Sequence, residues 1–392
     1  MVRATVQKLQ KSEGSKMKLR YKTSDFFNPT HTVIGIDLIN WLQLLWRNRF
    51  AINFRFWPKA LLLTGISMLN APFQFYEFIA YSKRIKKVKV KSPVFILGHP
   101  RSGTTYLHYV LSQDPQFSFC QTYEGLAPHV FLSSGKIVKA VMNLFIPATR
   151  PQDNVKAGAA LPIEEEFAMG SISQTSWVHG LYFPKSIFDV FDECVTFKRD
   201  KEARAEWKKH FLFFAKKLAY QNHGKTLLLK SPCNTARIKE ILEVFPDARF
   251  IHIHRNPYEV YLSNVGLYEK ILPLLGLHRV KGEYMEKYVL YMYEEMYSKY
   301  LRDREVLSSD QLYELPYKSF IADPMKELEK AYYQLSMGTF DSVEDFLMKE
   351  VAQSESYQKN KYSNINKEVR QQIANRWKFA FDVFGYELEQ EK

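Results

Sequence analysis

The sequence predicts an α/β protein whose parallel sheet is covered by helices on both faces. Short runs dominated by apolar residues occur at residues 93–98, 226–232 and 248–255, and each is followed by a segment with helical periodicity. Such runs are typical of strands buried on both faces, because a strand with one solvated face alternates apolar and polar residues. Strands that alternate with helices along the chain indicate a parallel sheet.

The predicted elements follow one another regularly from residue 93. The strand "PVFILG" (93–98) precedes the helix "TTYLHYVLSQDP" (104–115), which Asp-Pro ends. Two further pairs follow, "TLLLKSP" with "TARIKEILEVFP", and "ARFIHIHR" with "PYEVYLSNVGLYEKIL". From about residue 285 to the C-terminus the pattern is mostly helical. The chain shows no internal repeat.

Length and composition limit the possible architecture, cellular compartment and partners of the protein. The 392 residues, 46% of them hydrophobic, suffice for a sizeable core in one large or two modest domains. Three cysteines are too few and too scattered for a disulfide framework or a zinc site, which predicts a reducing, cytoplasmic setting. The start of the chain lacks the apolar stretch of a signal peptide. The formal net charge of +13 predicts an anionic partner without choosing between nucleic acid, membrane and phosphorylated substrate.

The N-terminal quarter differs from the rest in composition. Residues 1–24 carry seven Lys or Arg and one Glu, which predicts a basic, mobile arm. Residues 25–92 are rich in aromatic and apolar groups and predict a helical region. The longest uncharged piece, residues 60–76, is shorter than the roughly 18–20 apolar residues that a spanning helix needs. We therefore expect no transmembrane span here.

Two interpretations of residues 25–92 stay open. The region forms a pair of helices packed on the domain surface, or it forms an aromatic element that rests peripherally on an anionic membrane. The basic run "KRIKKVKVK" at residues 83–91 favours the membrane, but such runs are also ordinary solvated surface.

The stretch "GHPRSGTTYL", residues 98–107, has the outline of a phosphate-binding loop. Gly98 and Gly103 have the spacing of a Walker loop between a strand and a helix. Thr104 stands where such a loop keeps its lysine, and Thr105 stands at the hydroxyl position. Backbone amides at the start of the following helix still form a cradle for an anion.

The cation of this loop lies within it. Arg101 would clamp a shorter anion than the Walker lysine, which follows the loop and reaches the β- and γ-phosphates. The third predicted strand ends in "HIHR" and not in Asp, so no carboxylate is evident there for Mg²⁺. A nucleoside triphosphate is therefore not the expected ligand.

Two motifs together resemble those of sulfotransferases that use 3′-phosphoadenosine-5′-phosphosulfate (PAPS). "PRSGTT" is similar to the 5′-phosphosulfate loop of that family. "HIHRNPYEVYLS" is similar to its second motif, a strand-ending Arg followed eight residues later by Ser, here Arg255 and Ser263. The resemblance covers about residues 93–264, including "LLKSP" and "FPDARF", and continues more weakly through "YKSFIADP" and "RWKFAFDVFGYE". Residues 1–90 lie outside it.

The resemblance implies a P-loop-NTPase-like parallel sheet flanked by helices, with N- and C-terminal helical additions and a sulfotransferase domain over residues 93–392. It implies PAPS as co-substrate and no metal. Arg255 would hold the ribose 3′-phosphate bidentately, since ligands of open α/β sheets bind at strand C-termini. The residues implied to hold PAPS are Arg101, Ser102, Gly103, Thr104, Thr105, Arg255 and Ser263.

The implied reaction needs cations and a base. Negative charge builds on the departing phosphate and on the sulfuryl oxygens, so Arg101 and Lys230 are the candidates to stabilise it. The acceptor hydroxyl also has to lose a proton. Two positions where family branches carry a histidine base hold Pro232 and Asn234 here. Other branches use a Glu after the loop helix, which favours Glu124 in "QTYEGLAPH".

Alternatives to Glu124 stay open. The segment "LPIEEEFAM" resembles the Pro-x-Glu-Asp-Glu segment of the family and offers three further candidates for the base: Glu164, Glu165 and Glu166. Of these, Glu165 is the preferred candidate. Three histidines are the remaining candidates: His99, His129 and His179.

The acceptor is predicted to be a small, hydrophobic alcohol such as a sterol or lipid. Residues 125–195 are rich in Phe, Trp, Tyr and Pro, which suits an apolar pocket and equally a packed lid. Nucleic acid is not an expected partner. One rival is a P-loop kinase, which the missing loop lysine disfavours. The other is a non-catalytic basic module that binds membrane or nucleic acid, which would leave the Arg255–Ser263 spacing unexplained.

Overall fold

The computed structural model describes residues 17–23, 25, 32–150, 155–198, 200–354 and 365–388. The arm predicted at residues 1–24 lies outside the described residues apart from 17–23. The division of the chain at residues 24 and 92 stays a prediction.

The described part of the chain has five strands, seventeen α-helices and five short 3-10 helices. The strands are β1 (Val94–Leu97), β2 (Phe117–Phe119), β3 (Thr226–Lys230), β4 (Arg249–His254) and β5 (Leu312–Pro316). The helices up to β3 are α1 (Leu38–Arg47), α2 (Trp57–Lys86), α3 (Thr104–Leu111), α4 (Thr122–Leu126), α5 (Phe131–Phe145), α6 (Glu166–Ile172), α7 (Val178–Tyr182), α8 (Ile187–Cys194) and α9 (Lys201–Gln221). The later helices are α10 (Ile238–Val244), α11 (Pro257–Leu275), α12 (Gly282–Asp303), α13 (Tyr317–Ala322), α14 (Pro324–Gln334), α15 (Glu344–Ser354), α16 (Lys367–Arg376) and α17 (Lys378–Phe384).

The five strands form one sheet in the order β2-β3-β1-β4-β5, and every neighbouring pair is parallel. This arrangement confirms the predicted α/β class and the P-loop-NTPase-like sheet. The three predicted strands are its central ones. Both faces of these strands are covered, which explains why β1 and most of β3 are apolar without alternation and why His252 and His254 of β4 are buried as well.

The two edge strands were not predicted. β2 has only three residues, too few for a recognisable pattern. β5 lies inside the stretch predicted as mostly helical, and its side chains alternate: Tyr313 and Leu315 are buried, whereas Glu314 is exposed. An edge strand with one solvated face has this alternation, and five residues of it are easily taken for part of a helix.

The sheet separates two apolar cores. Alternate side chains of β1 point to opposite faces, so Phe95 and Leu97 join one core while Val94 and Ile96 join the other. The larger core is covered by α9, α11 and α12, and the smaller by α3, α14 and α15. Both faces of the sheet are therefore removed from water, as a parallel sheet requires.

The N-terminal region forms two helices that pack on this domain. Trp41 of α1 is fully buried and donates from Nε1 to Thr64 Oγ1 of α2 at 2.8 Å. The 30-residue α2 packs against α5 and α9. Among the described residues, no helix is both long enough and apolar enough to cross a membrane.

Candidate active site

The C-terminal ends of three neighbouring strands bring the predicted site residues together. β1 lies between β3 and β4, so the loop after β1 is flanked by Lys230 at the end of β3 and by Arg255 just after β4. This edge of a parallel sheet is where ligands of open α/β folds bind. The sheet order therefore joins motifs that lie far apart in the sequence.

Two glycines shape the loop because no other residue fits. Gly98 has a φ of 146°, and a Cβ there would lie 2.4 Å from the carbonyl oxygen of Ile253. Gly103 has a φ of 102°, and its Cβ would lie 2.5 Å from the ring of Tyr317. The Gly98 amide donates to Thr235 Oγ1 at 2.8 Å, which ties the loop to the segment after β3. The Walker-like spacing thus reflects real steric limits.

The loop presents amides and one guanidinium. Gly103 precedes α3 and, lacking a side chain, cannot cap the amides of its first turn, which can therefore bind an anion. Arg101 has a positive φ of 75° and donates from Nε to Ser263 Oγ at 2.9 Å. Ser263 is buried in α11. The first motif therefore contacts the second directly.

Arg255 lies between an acid and an aromatic ring. Its Nε donates to Glu259 Oε2 at 2.5 Å, and its guanidinium lies 4.6 Å from the centroid of the Tyr317 ring. Tyr317 thus contacts Arg255 and also leaves no room for a side chain at position 103, a role that was not predicted from the sequence. The available signal was "YKSFIADP", which begins at this tyrosine.

Lys230 is buried and held by two glutamates of the acidic segment. Its Nζ donates to Glu164 Oε1 at 2.6 Å, and its backbone amide donates to Glu165 Oε2 at 3.0 Å. Glu165 also accepts from Asn234 Nδ2 at 2.6 Å. Burial raises the pKa of Glu165 to about 7. The Glu164 side chain keeps 20% of its surface exposed, so it is the more accessible of the two.

Glu166 has a different, structural environment. It forms a fully buried ion pair with Arg237 at 2.7 Å and accepts from the hydroxyl of Ser176 and the amide of Trp177. Because its bonds all lie within the core, it contributes to packing of α6 against the segment after β3. The three consecutive glutamates therefore have three different roles.

Glu124 is fully buried at the start of α4. It accepts from the Gln121 amide at 2.8 Å and from the Tyr123 hydroxyl at 3.1 Å, as part of a capping box. Burial raises its pKa to about 7. An antiparallel bridge between Gln121 and Pro162 places α4 beside the acidic segment. The structure therefore brings Glu124 close to the triplet, but its bonded partners lie within its own turn.

The three candidate histidines all contact the protein backbone. His99 is buried with Nδ1 3.0 Å from the Pro100 oxygen, and burial lowers its pKa to about 3. His179 is buried with Nε2 2.8 Å from the Gly170 oxygen. His129 Nε2 lies 3.2 Å from the Ser171 oxygen and 3.4 Å from Asp37 Oδ2. These contacts favour structural roles.

Much of the aromatic segment 125–195 lies in the core. Trp177, Tyr182, Phe183 and Phe191 are buried, and Trp177 Nε1 donates to Tyr288 Oη at 2.7 Å. The packed-lid interpretation accounts for these side chains. In the described part of the chain, no group of three or more His, Cys, Asp or Glu is arranged to hold a metal ion.

A parallel sheet with a glycine-containing loop between its central strand and the following helix is typical of phosphate-binding α/β proteins. Residues 93–341 match the family model described as the sulfotransferase family, and the chain belongs to that family. It is therefore a sulfotransferase, and the predicted family and enzyme class are confirmed.

Two curated relatives match nearly the whole chain. The omega-hydroxy-beta-dihydromenaquinone-9 sulfotransferases of Mycobacterium bovis and Mycobacterium tuberculosis are each 32% identical over 355 residues, covering 90% of this chain and 91% of theirs. The match includes most of the N-terminal region as well as the family domain.

Two solved structures share the fold. Sulfotransferase STF9 from Mycobacterium avium has a TM-score of 0.62 at 18% identity, covering 91% of this chain and 98% of its own. Sulfotransferase STF1 from Mycobacterium tuberculosis has a TM-score of 0.59 at 16% identity, covering 87% and 94%. At these identities the likeness concerns the fold alone.

Proposed function

We propose that this enzyme transfers the sulfuryl group of PAPS to the hydroxyl of a lipophilic alcohol. The observation that carries the proposal is the 2.9 Å contact between Arg101 and Ser263, which unites the loop implied to bind the phosphosulfate with the motif implied to bind the 3′-phosphate. A donor that carries phosphates on the 3′ and 5′ positions of one ribose suits such a pair of neighbouring anion sites.

The donor would be held by backbone and side chains in two places. The loop from Arg101 to Thr105, including Ser102 and Thr104, would surround the 5′-phosphosulfate with amides and one guanidinium. Arg255 and Ser263 would take the 3′-phosphate. Glu259, now paired with Arg255, has a side chain that is 52% exposed, so it can turn to water when a phosphate replaces it.

In the transfer, the alcohol oxygen attacks sulfur while the bond from sulfur to the phosphate oxygen breaks, and the electron pair leaves with the phosphate. Lys230 and Arg101 would stabilise the charge that develops there. The alcohol proton goes to a carboxylate. The sequence favours Glu124 for this role, whereas the contact between Lys230 and Glu164 supports Glu164, because its carboxylate adjoins the lysine that faces the reacting group.

The acceptor class draws support from the relatives and from the surface. The relatives that match nearly the whole chain are sulfotransferases named for omega-hydroxy-beta-dihydromenaquinone-9, and the described surface of this chain exposes many large apolar side chains in α1 and α2. We therefore infer a lipid-like alcohol. An enzyme that acts on such a small alcohol does not need to bind nucleic acid. All three cysteines are free and buried, which supports a cytoplasmic location.

The donor is tested by calorimetric and thermal-shift titration with adenosine 3′,5′-bisphosphate. A ligand that binds only the folded state raises the thermal midpoint, and Arg255→Ala should remove most of that rise. The matched control is Arg302→Ala, whose side chain is 66% exposed on α12. Transfer from labelled PAPS is then screened across prenylated, sterol, phenolic and glycan alcohols. A midpoint raised by ATP with Mg²⁺ and not by the bisphosphate would support a kinase instead.

A further inference from the structure

Over most of its length, helix α2 has its charges inside and its apolar side chains outside. Between residues 57 and 82 the only charged residues are Lys59 and Glu77, and both are buried. A helix on the surface of a water-soluble domain has the opposite arrangement, with its charged face in solvent. The outward face of α2 therefore lacks the groups that would keep it hydrated.

Each inward charge anchors α2 to the domain. Lys59 Nζ donates to the carbonyl oxygens of Pro273 at 3.2 Å and Leu274 at 2.6 Å, near the end of α11. Glu77 forms a buried ion pair with Lys217 of α9 and accepts from the amide and hydroxyl of Ser133 at 2.7 and 2.8 Å. Because polar bonds hold its inner side, the orientation of α2 is well determined.

The exposed side carries large apolar groups along its length. Leu69, Phe75 and Phe78 expose 74%, 67% and 65% of their surface, and Leu61, Phe73 and Ile79 are similarly exposed. The adjoining helix α5 adds an apolar stripe at helical spacing, with Ile137, Val141, Leu144 and Phe145 exposed. We call these side chains of α2 and α5 the apolar face. Contiguous surfaces of this kind indicate an interaction site.

Basic groups stand at both ends of α2. Arg49 and Arg55 are exposed before it, and six exposed Lys or Arg lie between residues 83 and 91 at its other end. If a second copy of this chain covered the apolar face through α2, a basic end would meet a basic end whether the two helices ran parallel or antiparallel. Anionic lipid headgroups complement both ends instead.

We propose that the apolar face docks on the interface of an anionic bilayer, with α2 lying along the membrane surface. This inference rests on the proposed lipophilic acceptor and extends it by naming where the lipid arrives. Exposed Trp46, Phe54 and Trp57 near the start of α2 suit the headgroup boundary, which favours aromatic rings. The apolar side chains enter the acyl boundary and the basic ends bind headgroups.

The same contacts connect the docked face to the active site. Lys217, the partner of Glu77, also donates to the carbonyl oxygen of Pro128. Pro128 lies in the short link between α4, which carries Glu124, and α5, which belongs to the apolar face. A membrane lipid bound at this face would therefore lie beside the segment that carries Glu124, one of the candidate bases.

The test is co-sedimentation of the full chain with phosphatidylcholine vesicles that contain or lack phosphatidylglycerol, at low and high salt. We expect binding to the anionic vesicles that weakens as salt rises, because surface charge contributes to it. Leu69→Ser combined with Phe73→Ser should lower the partition coefficient about tenfold or more, since both side chains would leave the acyl boundary. Lys86→Glu, Lys87→Glu and Lys89→Glu together should lower it by a similar factor, selectively for anionic vesicles.

Matched controls change similar residues elsewhere. Tyr333→Ser removes a side chain that is 89% exposed on α14, and Lys326→Glu with Lys349→Glu reverses charges on α14 and α15. These variants should bind vesicles like the wild type. If the wild type does not sediment with anionic vesicles at low salt, or if the apolar-face variants abolish a dimer in analytical ultracentrifugation without changing vesicle binding, the proposal is wrong.

Bisphosphate titration of the same variants separates this proposal from the proposed function. The apolar-face variants should keep the wild-type thermal shift with adenosine 3′,5′-bisphosphate, because they lie outside the donor site. If the wild type shows a normal thermal shift with the bisphosphate but does not bind vesicles, the membrane-docking proposal alone is overturned. An absent shift with intact vesicle binding would overturn the donor assignment and leave docking standing.

Discussion

Arg101 donates a hydrogen bond from Nε to the hydroxyl of Ser263, 2.9 Å away, across 162 residues of sequence. The loop after β1 and helix α11 after β4 meet through this bond, because β1 and β4 are neighbours in the sheet. A ligand that spans both motifs would therefore find the two proposed anion sites already side by side.

Ser263→Ala should weaken donor binding. The variant loses a hydroxyl donor to the 3′-phosphate and the partner that orients Arg101, and a hydrogen bond to a charged group contributes about 1.5–3 kcal/mol. Titration calorimetry with adenosine 3′,5′-bisphosphate should show a dissociation constant raised about tenfold to a hundredfold. Ser308→Ala, in an exposed turn, is the control and should bind normally. Equal affinities for the wild type and Ser263→Ala would contradict the assigned 3′-phosphate site.

Glu164→Gln should lower kcat by about 10²–10⁴-fold, the usual contribution of a positioned base, with little change in bisphosphate affinity. Glu124→Gln and Glu165→Gln are made in parallel and assayed with the same acceptor. We expect smaller losses from Glu124→Gln, because an amide oxygen can still accept from the Gln121 amide in the capping box.

Collapse of the Glu124 variant, with Glu164→Gln within about threefold of wild type, would identify Glu124 as the base and refute Glu164. A pH profile gives a second readout. With Glu124 as base, kcat would rise with pH through about 7, the pKa to which burial raises this carboxyl, and the rise would vanish in Glu124→Gln.

The stability that Glu165 contributes should be lost as pH rises from about 5 to about 8. Burial raises the pKa of Glu165 to about 7, so the folded state keeps a proton on this carboxyl that the unfolded state has already lost, and the advantage disappears as the group ionises. Buried histidines such as His99, whose pKa burial lowers to about 3, act in the opposite direction on the whole protein, so the quantity to measure is the difference between the wild type and Glu165→Gln. Urea unfolding at both ends of the range should show that the free energy of unfolding of the wild type, relative to Glu165→Gln, falls as pH rises. A difference that does not change with pH would contradict the burial argument.

Arg237→Met should destabilise the protein without removing a group of the proposed donor site. The variant leaves Glu166 charged and unpaired in the core, which typically costs about 3–5 kcal/mol in the free energy of unfolding. The matched control is Arg47→Met, because the ion pair of Arg47 with Glu193 is partly exposed and should contribute below about 1 kcal/mol. Equal losses for the two variants in chemical denaturation would refute the assigned difference.

Gly103→Ala should abolish donor binding. The new Cβ would lie 2.5 Å from the Tyr317 ring, at a φ of 102° that side chains rarely adopt, so the loop has to move. Gly224→Ala is the control, because Gly224 also has a positive φ, of 77°, but a Cβ there meets nothing within 4 Å. If both variants bind the bisphosphate like the wild type, the contact with Tyr317 does not limit the loop.

The sequence by itself determined the features that depend on short-range geometry. Gly98 and Gly103 have positive φ angles that favour glycine, and Ser263 lies about two turns into the helix that begins just after Arg255. Central strands were recognisable because burial on both faces makes their residues mostly apolar. Such patterns are written into consecutive residues, so the fold class and the donor motifs could be predicted.

Tertiary structure alone decided which distant residues became partners. The contact of Lys230 with Glu164 joins positions 66 residues apart, and Tyr317 meets Gly103 only because β5 pairs with β4. Burial of Lys59 and Glu77, which leaves the apolar side of α2 outward, depends on carbonyl and lysine partners supplied by α11 and α9. None of these contacts leaves a local pattern in the sequence, because the packing of the whole chain sets which polar groups can pair in the interior.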